Sequence, residues 1–334
     1  MTYDVTLNDI LAARERIAGS VRRTPLERNE TLSRLLGTNV YLKLELFQKT
    51  GSFKPRGAFN KALSLTPEER ARGLVAVSGG NHAQAVAYVA GRLGTRSTIL
   101  MPETTPSNYV DATREYGAEV RLVRNVHDAF EAVATYQQQG WIAVHPFDDP
   151  LVIAGQGTVG LEILDDAPQT TDVIASIGGG GFIGGVATAI KALRPAVRIW
   201  GVETEGADAM SQALAAGHVV TLPAITSIAR TLGAPAASEW TLAAARKYLE
   251  SVTVVQDAEA VEALALLLER VKVLTEPAAS CTLTAALRLR EHFGAERHVV
   301  LVLCGGNIAL DDLCRYRNNF AIRNATPAKN PSSA

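Results

Sequence analysis

Leu74-Val75-Ala76-Val77-Ser78-Gly79-Gly80-Asn81-His82 joins a short apolar run, a glycine turn and the start of a helical stretch. The same alternation continues downstream. Apolar runs at Ser97–Met101, Glu119–Val123 and Trp141–Val144 are separated by His82–Leu93, Ser107–Tyr116 and Val126–Gln138, each apolar at helical spacing. A second series follows: strand Asp172–Ile177, helix Phe182–Leu193, strand Arg198–Glu203 and a helical stretch near Ala207–Ala216. Helical Ala258–Val271, a helix after Pro277 and strand His298–Leu303 complete it. Upstream, Leu7–Ala18 reads as an amphipathic helix and Val40–Leu46 as a strand. Strands alternating with helices of this length predict βαβ units and parallel sheets. The expected class is α/β, with two open parallel-type domains facing each other. The break near Pro146–Pro150 sets the expected division: a larger domain of 1–65 plus 148–320, a smaller one of 66–147, and a flexible tail at 321–334.

The 334 residues suffice for two domains, and 47% hydrophobic against 20% charged residues can bury a core. With 33 Lys plus Arg against 34 Asp plus Glu and no basic block, nucleic acid and anionic membranes are not expected as partners. The three cysteines, Cys281, Cys304 and Cys314, form no CxxC pair and fit a reducing compartment. The first residues, Met1–Val5, lack a basic n-region and an apolar h-region, and no long uncharged apolar run occurs. A soluble cytoplasmic protein is expected.

Glycine turns follow Val77, Ile177 and Leu303, at the carboxyl ends of expected strands, where open α/β sheets bind ligands. Gly178-Gly179-Gly180-Gly181 opens a helix and can cradle an anion with backbone N–H groups. Gly179-x-Gly181-x-x-Gly184 also fits a dinucleotide fingerprint, with Glu203 placed as a ribose reader, so a nicotinamide cofactor stays open on this segment. It gives no role to Ser52-Phe53-Lys54 or to Ser78–His82. In Thr50–Ala58, Ser52 is the expected N-cap and Pro55 suits the first helical turn. The positive end of that helix disfavours an ammonium at Lys54, and a neutral amine can attack an aldehyde. The Asn81 amide can donate to a phenolate oxygen, while backbone amides along Ser78–His82 can bind a carboxylate. The Cys304 thiol, a weak donor, would leave a pyridine nitrogen neutral; the alternative is a small buried residue. Together these segments look like a pyridoxal phosphate (PLP) site. Lys54 would form the Schiff base, Asn81 would hold the ring hydroxyl, Gly178, Gly179, Gly180 and Gly181 the phosphate, and Cys304 the ring nitrogen.

The chain resembles the fold-type II PLP enzymes (tryptophan synthase β-like), specifically the serine/threonine dehydratase and serine racemase family, from about Ile10 to Leu313. The resemblance lies in Thr24-Pro25-Leu26, Leu42–Glu45, Gln48–Ala58, Ser78–Gln84, Ile153–Thr158, Gly178–Gly181, Glu276-Pro277 and Cys304–Asn307. It implies a cofactor in the cleft between two domains, Phe53 against its ring, and a substrate side formed by Ser78, Gly79, Asn81, His82 and Glu276. It further implies a homodimer or homotetramer acting on a small amino acid. The implied reaction is β-elimination of a β-hydroxy-α-amino acid such as L-threonine or L-serine to a 2-oxo acid and ammonia, with the Lys54 amine removing the α-proton. A β-replacement enzyme, a dehydratase for a larger or acidic substrate (phenylserine, 3-hydroxyaspartate) and a ligand sensor without turnover are the other readings.

Three departures from the family pattern refine this expectation. Racemising relatives usually carry a serine where this chain has Gly79, so elimination should far exceed racemisation. Of the divalent-metal positions, Glu203 and Ala207 match but Ala209 replaces the aspartate, with Asp208 adjacent, which is thin for a cation wanting six or more oxygens. Many relatives read Ile-Ala-Asp-Gly-Leu where this chain reads Ile228-Ala229-Arg230-Thr231-Leu232. Arg230 faces either solvent or a charged group, and the change weakens assignment to plain threonine. The chain ends soon after Cys304, so feedback through a carboxy-terminal regulatory domain is not expected.

Overall fold

The structure is a computed structural model that describes residues 4–320 except Asn125. The expected tail 321–334 lies outside the described residues. Among the described residues ten strands form two sheets: β1 (Leu26–Arg28), β2 (Asn39–Lys43), β3 (Leu74–Val77), β4 (Ser97–Pro102), β5 (Glu119–Val123), β6 (Ile142–Ala143), β7 (Asp172–Ser176), β8 (Arg198–Thr204), β9 (Leu249–Val255) and β10 (His298–Val302). The six-stranded sheet runs β1-β2-β10-β7-β8-β9 and the four-stranded one β5-β4-β3-β6. Every pairing is parallel except β1 with β2. All residues of β7 are buried, as expected of a parallel strand covered by helices on both faces.

The chain leaves the small sheet after β6 and enters the helix Pro150–Asp166, started by Asp149, whose carboxylate accepts from the N–H groups of Leu151 and Val152. This helix is buried along nearly all its length despite three glycines, and the glycines explain how. A Cβ on Gly155 would stand 2.6 Å from Arg56 O in the helix Pro55–Leu63, and one on Gly160 2.7 Å from Val186 O in the helix Gly181–Leu193. Two neighbouring backbones therefore approach closer than any side chain permits.

Beneath the Pro55–Leu63 helix lies a buried charge cluster. Arg56 donates to Glu45 through Nε and Nη2, each at 2.8 Å, and to Glu162 through Nη1 and Nη2 at 2.7 and 2.9 Å. Lys43 Nζ completes it, 2.6 Å from Glu162 Oε2. Two cations meet two carboxylates, so the interior carries paired charge.

Two sequence expectations are corrected. The expected strand Val40–Leu46 ends at Lys43 and turns into a 3-10 segment, Glu45–Phe47, because Glu45 must turn inward to meet Arg56. Ser52 is not the N-cap. Its backbone is extended and forms an antiparallel bridge with Gly305, leaving Lys54 at the cap position and Pro55 first in the helix. No side chain caps that helix.

Candidate active site

Between the sheets lies a cavity of about 610 Å³, within the usual range for a small-molecule site. Lys54, Ser78–His82, Gly178–Gly181, Glu276 and Cys304 all line it. Segments far apart in sequence meet because β3, β7 and β10 point their carboxyl ends toward it.

Lys54 is placed by its neighbours. Phe53 N–H donates to Cys304 O at 3.1 Å, tying the segment to the end of β10, and the Phe53 ring stacks on Phe182 with centroids 4.0 Å apart. The Lys54 amine donates to Pro146 O at 2.8 Å. Burial pushes this amine down to about 8, against the opposing pull of Cys304 and Glu276. Roughly a tenth of the amine is therefore neutral at pH 7, far more than for an ordinary lysine.

The turn Gly178–Gly181 leads into the helix Gly181–Leu193, which no side chain caps. Gly180 adopts φ +88°, the left-handed region that glycine tolerates. A Cβ on Gly179 would lie 2.2 Å from the Phe147 ring, and one on Gly181 2.3 Å from Phe147 O. The result is a bare backbone cradle at the positive end of a helix, suited to a phosphate.

Asn81 begins the helix Asn81–Arg92, also without a side-chain cap. Its amide donates to Glu276 Oε1 at 2.8 Å, and its Oδ1 accepts from Asn307 Nδ2 at 2.8 Å. Thr231 Oγ1 donates to the same Glu276 oxygen at 3.1 Å, while Glu276 Oε2 is buried with no hydrogen-bond partner. Burial raises the Glu276 carboxyl to about 7, with Thr231 and Asn81 acting the other way. His82 Nε2 lies 2.8 Å from Val144 O, and burial depresses the imidazole to about 3, so it is neutral and donates there. Its Nδ1 is buried without a partner. Ser78 Oγ accepts from Gly80 N–H at 3.1 Å, and the place of a Gly79 Cβ lies 2.6 Å from Thr105 Oγ1. Cys304 Sγ sits 3.4 Å from Ser176 Oγ and 3.6 Å from Ala278 O. Burial pushes this thiol up to about 12, so it stays protonated.

The weak metal candidates lie elsewhere. Glu203 accepts N–H bonds from Met210 at 2.9 Å and Ser211 at 2.8 Å, which occupies both oxygens at the start of the helix Ala209–Ala216. Ala207 is buried in a bridge with Thr204. Among the described residues no group of three or more His, Cys, Asp or Glu could hold a metal ion. Pro146, Phe147, Thr105, Ser176 and Phe182 were not foreseen as parts of the site. A backbone carbonyl acceptor such as Pro146 O leaves no mark in a sequence, and the others become neighbours only through the fold.

Residues 17–305 match the family model described as pyridoxal-phosphate dependent enzyme. The chain is 40% identical over 321 residues to the L-threonine ammonia-lyase of Thermotoga maritima, covering 96% of this chain and 80% of that protein. It is 38% identical over 315 residues to the catabolic L-threonine dehydratase TdcB of Escherichia coli K12, covering 93% and 96%. The solved structure of maize serine racemase superposes with a TM-score of 0.89 at 34% identity, covering 96% of this chain and 98% of that one. The chain belongs to the pyridoxal-phosphate dependent enzyme family, in its fold-type II branch. The cofactor is therefore PLP, and the nicotinamide reading of Gly179, Gly181 and Gly184 is set aside. The residues present fit it: a partly neutral buried amine, a bare anion cradle, a protonated thiol and an unpartnered carboxylate oxygen share one cavity. Among the described residues no helix is long and apolar enough to cross a membrane.

Proposed function

We propose that this enzyme is a lyase that eliminates water from a β-hydroxy-α-amino acid, with L-threonine and L-serine as substrates; hydrolysis of the released enamine takes up a water again and gives a 2-oxo acid and ammonia. The names of the threonine ammonia-lyase and threonine dehydratase relatives favour this reading. The observation that carries it is the Lys54 amine, lowered to about 8 within the cavity shared by the glycine cradle and Cys304. PLP, when bound, supplies the electron-withdrawing system that labilises the α-proton. Lys54 would hold it covalently, and its free Nζ would accept the α-proton. A base with a pKa near 8 is matched to that task. Amides of Gly178, Gly179, Gly180 and Gly181 would hold the phosphate, Phe53 would lie beside the ring, and Asn81, one of whose amide hydrogens goes to Glu276, would offer the other to the ring hydroxyl.

Cys304, protonated at neutral pH, would stand opposite the ring nitrogen when the cofactor is bound, and as a weak donor it would not transfer a full proton there. The substrate carboxylate is received by backbone amides of Ser78, Gly79 and Asn81 and by the helix start at His82. Glu276 holds Asn81 in place. No metal role is assigned to Glu203 or Ala207. The unit 66–147 would act as the substrate-side domain, closing on 1–65 plus 148–320; the separate four-stranded sheet supports that division. A cytoplasmic homodimer or homotetramer is the working assembly.

Purified enzyme should show the absorption of covalently bound cofactor and form 2-oxo acid from L-threonine. Lys54→Ala should lose both, with turnover falling at least about 10⁴-fold as expected when an essential base and anchor is removed. Retention of turnover in that variant would overturn the assignment.

A further inference from the structure

The cavity mouth carries a cation that threonine, with its methyl group, leaves without a partner. Arg230 is exposed and lines the cavity; its backbone N–H donates to Ile228 O at 2.8 Å, whereas its guanidinium makes no hydrogen bond or ion pair among the described residues. It lies on the 3-10 turn Arg230–Leu232, which is held firmly. Thr231 Oγ1 donates to buried Glu276, Thr231 Cγ2 comes within 3.3 Å of where a Gly80 Cβ would stand, and Leu232 O lies 3.3 Å from the corresponding Gly178 position. The turn therefore sits against both the substrate-side loop and the phosphate cradle. The positive charge of Arg230 also acts on Tyr109, whose hydroxyl donates to Asn307 O at 2.6 Å, and Asn307 in turn bonds Asn81.

The other charged groups lining the cavity are Lys54, Arg315 and Glu276. Arg315 is already paired with Asp312, and Glu276 is raised to about 7, so much of its negative charge is absent near neutrality. The mouth is thus electropositive, with one guanidinium uncommitted. Such a planar fork matches a carboxylate in a way that a methyl group cannot exploit.

We propose that Arg230 is a specificity-determining residue that binds a second carboxylate on the substrate's β-carbon. The enzyme would then dehydrate a β-hydroxy-α-amino dicarboxylic acid, of which 3-hydroxyaspartate is the smallest. This rests on the elimination reading above and adds the substrate class. The chemistry is unchanged. The Cα–H and Cβ–O bonds break, the proton and hydroxyl leave as water, and a second water hydrolyses the released enamine to a four-carbon 2-oxo diacid and ammonia. No oxidant or reductant is required.

The test compares kcat/KM for L-threo-3-hydroxyaspartate and L-threonine in wild type, Arg230→Ala and Arg230→Lys. Calorimetry on the same holoenzymes adds L-aspartate and L-alanine, which lack the departing hydroxyl. The diacid-to-threonine ratio should fall at least about tenfold in Arg230→Ala and partly recover in Arg230→Lys. L-Aspartate binding should weaken in parallel, relative to L-alanine. An unchanged ratio, or threonine turnover with none of the diacid, would overturn the proposal. Arg230-dependent L-aspartate binding without turnover of either hydroxy acid would keep the carboxylate site and overturn the elimination reading instead.

Discussion

Gly79 shows how much one missing side chain decides. In the proposed reaction Lys54 would remove the α-proton from one face of the substrate, and inversion would need an acid on the other. Gly79 supplies none, and the space its Cβ would take is bordered by Thr105 Oγ1 at 2.6 Å. Elimination should therefore dominate: from L-serine, 2-oxo acid should form in large excess over D-serine, as chiral chromatography of the products would show. Comparable rates of the two would remove Gly79 from this role and point to the Thr105 hydroxyl. Single residues were the most legible scale in the sequence. Lys54, Asn81 and Cys304 could be named from the glycine turns and helix starts that carry them, and Glu276 from the family resemblance; all four line the cavity. Thr231 could not, since its bond to Glu276 joins a 3-10 turn to a helix start 45 positions away. The capping role expected of Ser52 failed for a similar reason. A bridge to Gly305, invisible locally, fixes its backbone as extended.

At the scale of elements, the Pro55–Leu63 helix that carries Lys54 is secured from below by Arg56. Both Arg56 and Glu45 have fully buried side chains. Arg56→Ala would leave Glu45 and Glu162 with a buried charge deficit, and should cost about 3–5 kcal/mol in urea unfolding. The pH dependence follows from Glu162. Burial alone would raise its carboxyl, but Arg56 and Lys43 outweigh that and hold it below the usual 4.5. A depressed carboxylate contributes stability above its unfolded pKa and loses it as pH falls through the folded one. Wild type should accordingly lose this contribution below about pH 4.5, and the wild-type advantage over Arg56→Ala should shrink there. The same scale shows where propensity misleads. The helix Pro150–Asp166 was not read as one because Gly155, Gly157 and Gly160 argue against a helix locally, and close packing against two neighbours overrides that. The helix Glu239–Tyr248 and strand β9 also went unread, although Ser238 and Thr241 form a capping box.

For the whole molecule, the alternation of strands and helices predicted two parallel sheets, and both are present. The antiparallel β1 was not expected; its three residues are too few to show a period. Because the cavity is lined from both sheets, cofactor loading should couple them. At a free concentration 100 times Kd, PLP should stabilise the fold by about 2.7 kcal/mol, and its removal should lower Tm in scanning calorimetry. An apoenzyme melting at the same temperature as the holoenzyme would show that PLP does not bind the folded state in preference to the unfolded one.

The glycines of Pro150–Asp166 have a metrological consequence. The lysine helix rests on this rod at Gly155, and the last seat of the cradle helix, beyond its contacts at Ile153 and Gly157, is Gly160. Five residues at 1.5 Å per residue separate the two seats by about 7.5 Å along one rigid axis. The reach between the point proposed to grip the aldehyde and the point proposed to grip the phosphate is thus graduated on a third element that touches neither. A methyl group added at either seat would recalibrate that gauge without altering any atom in contact with the cofactor.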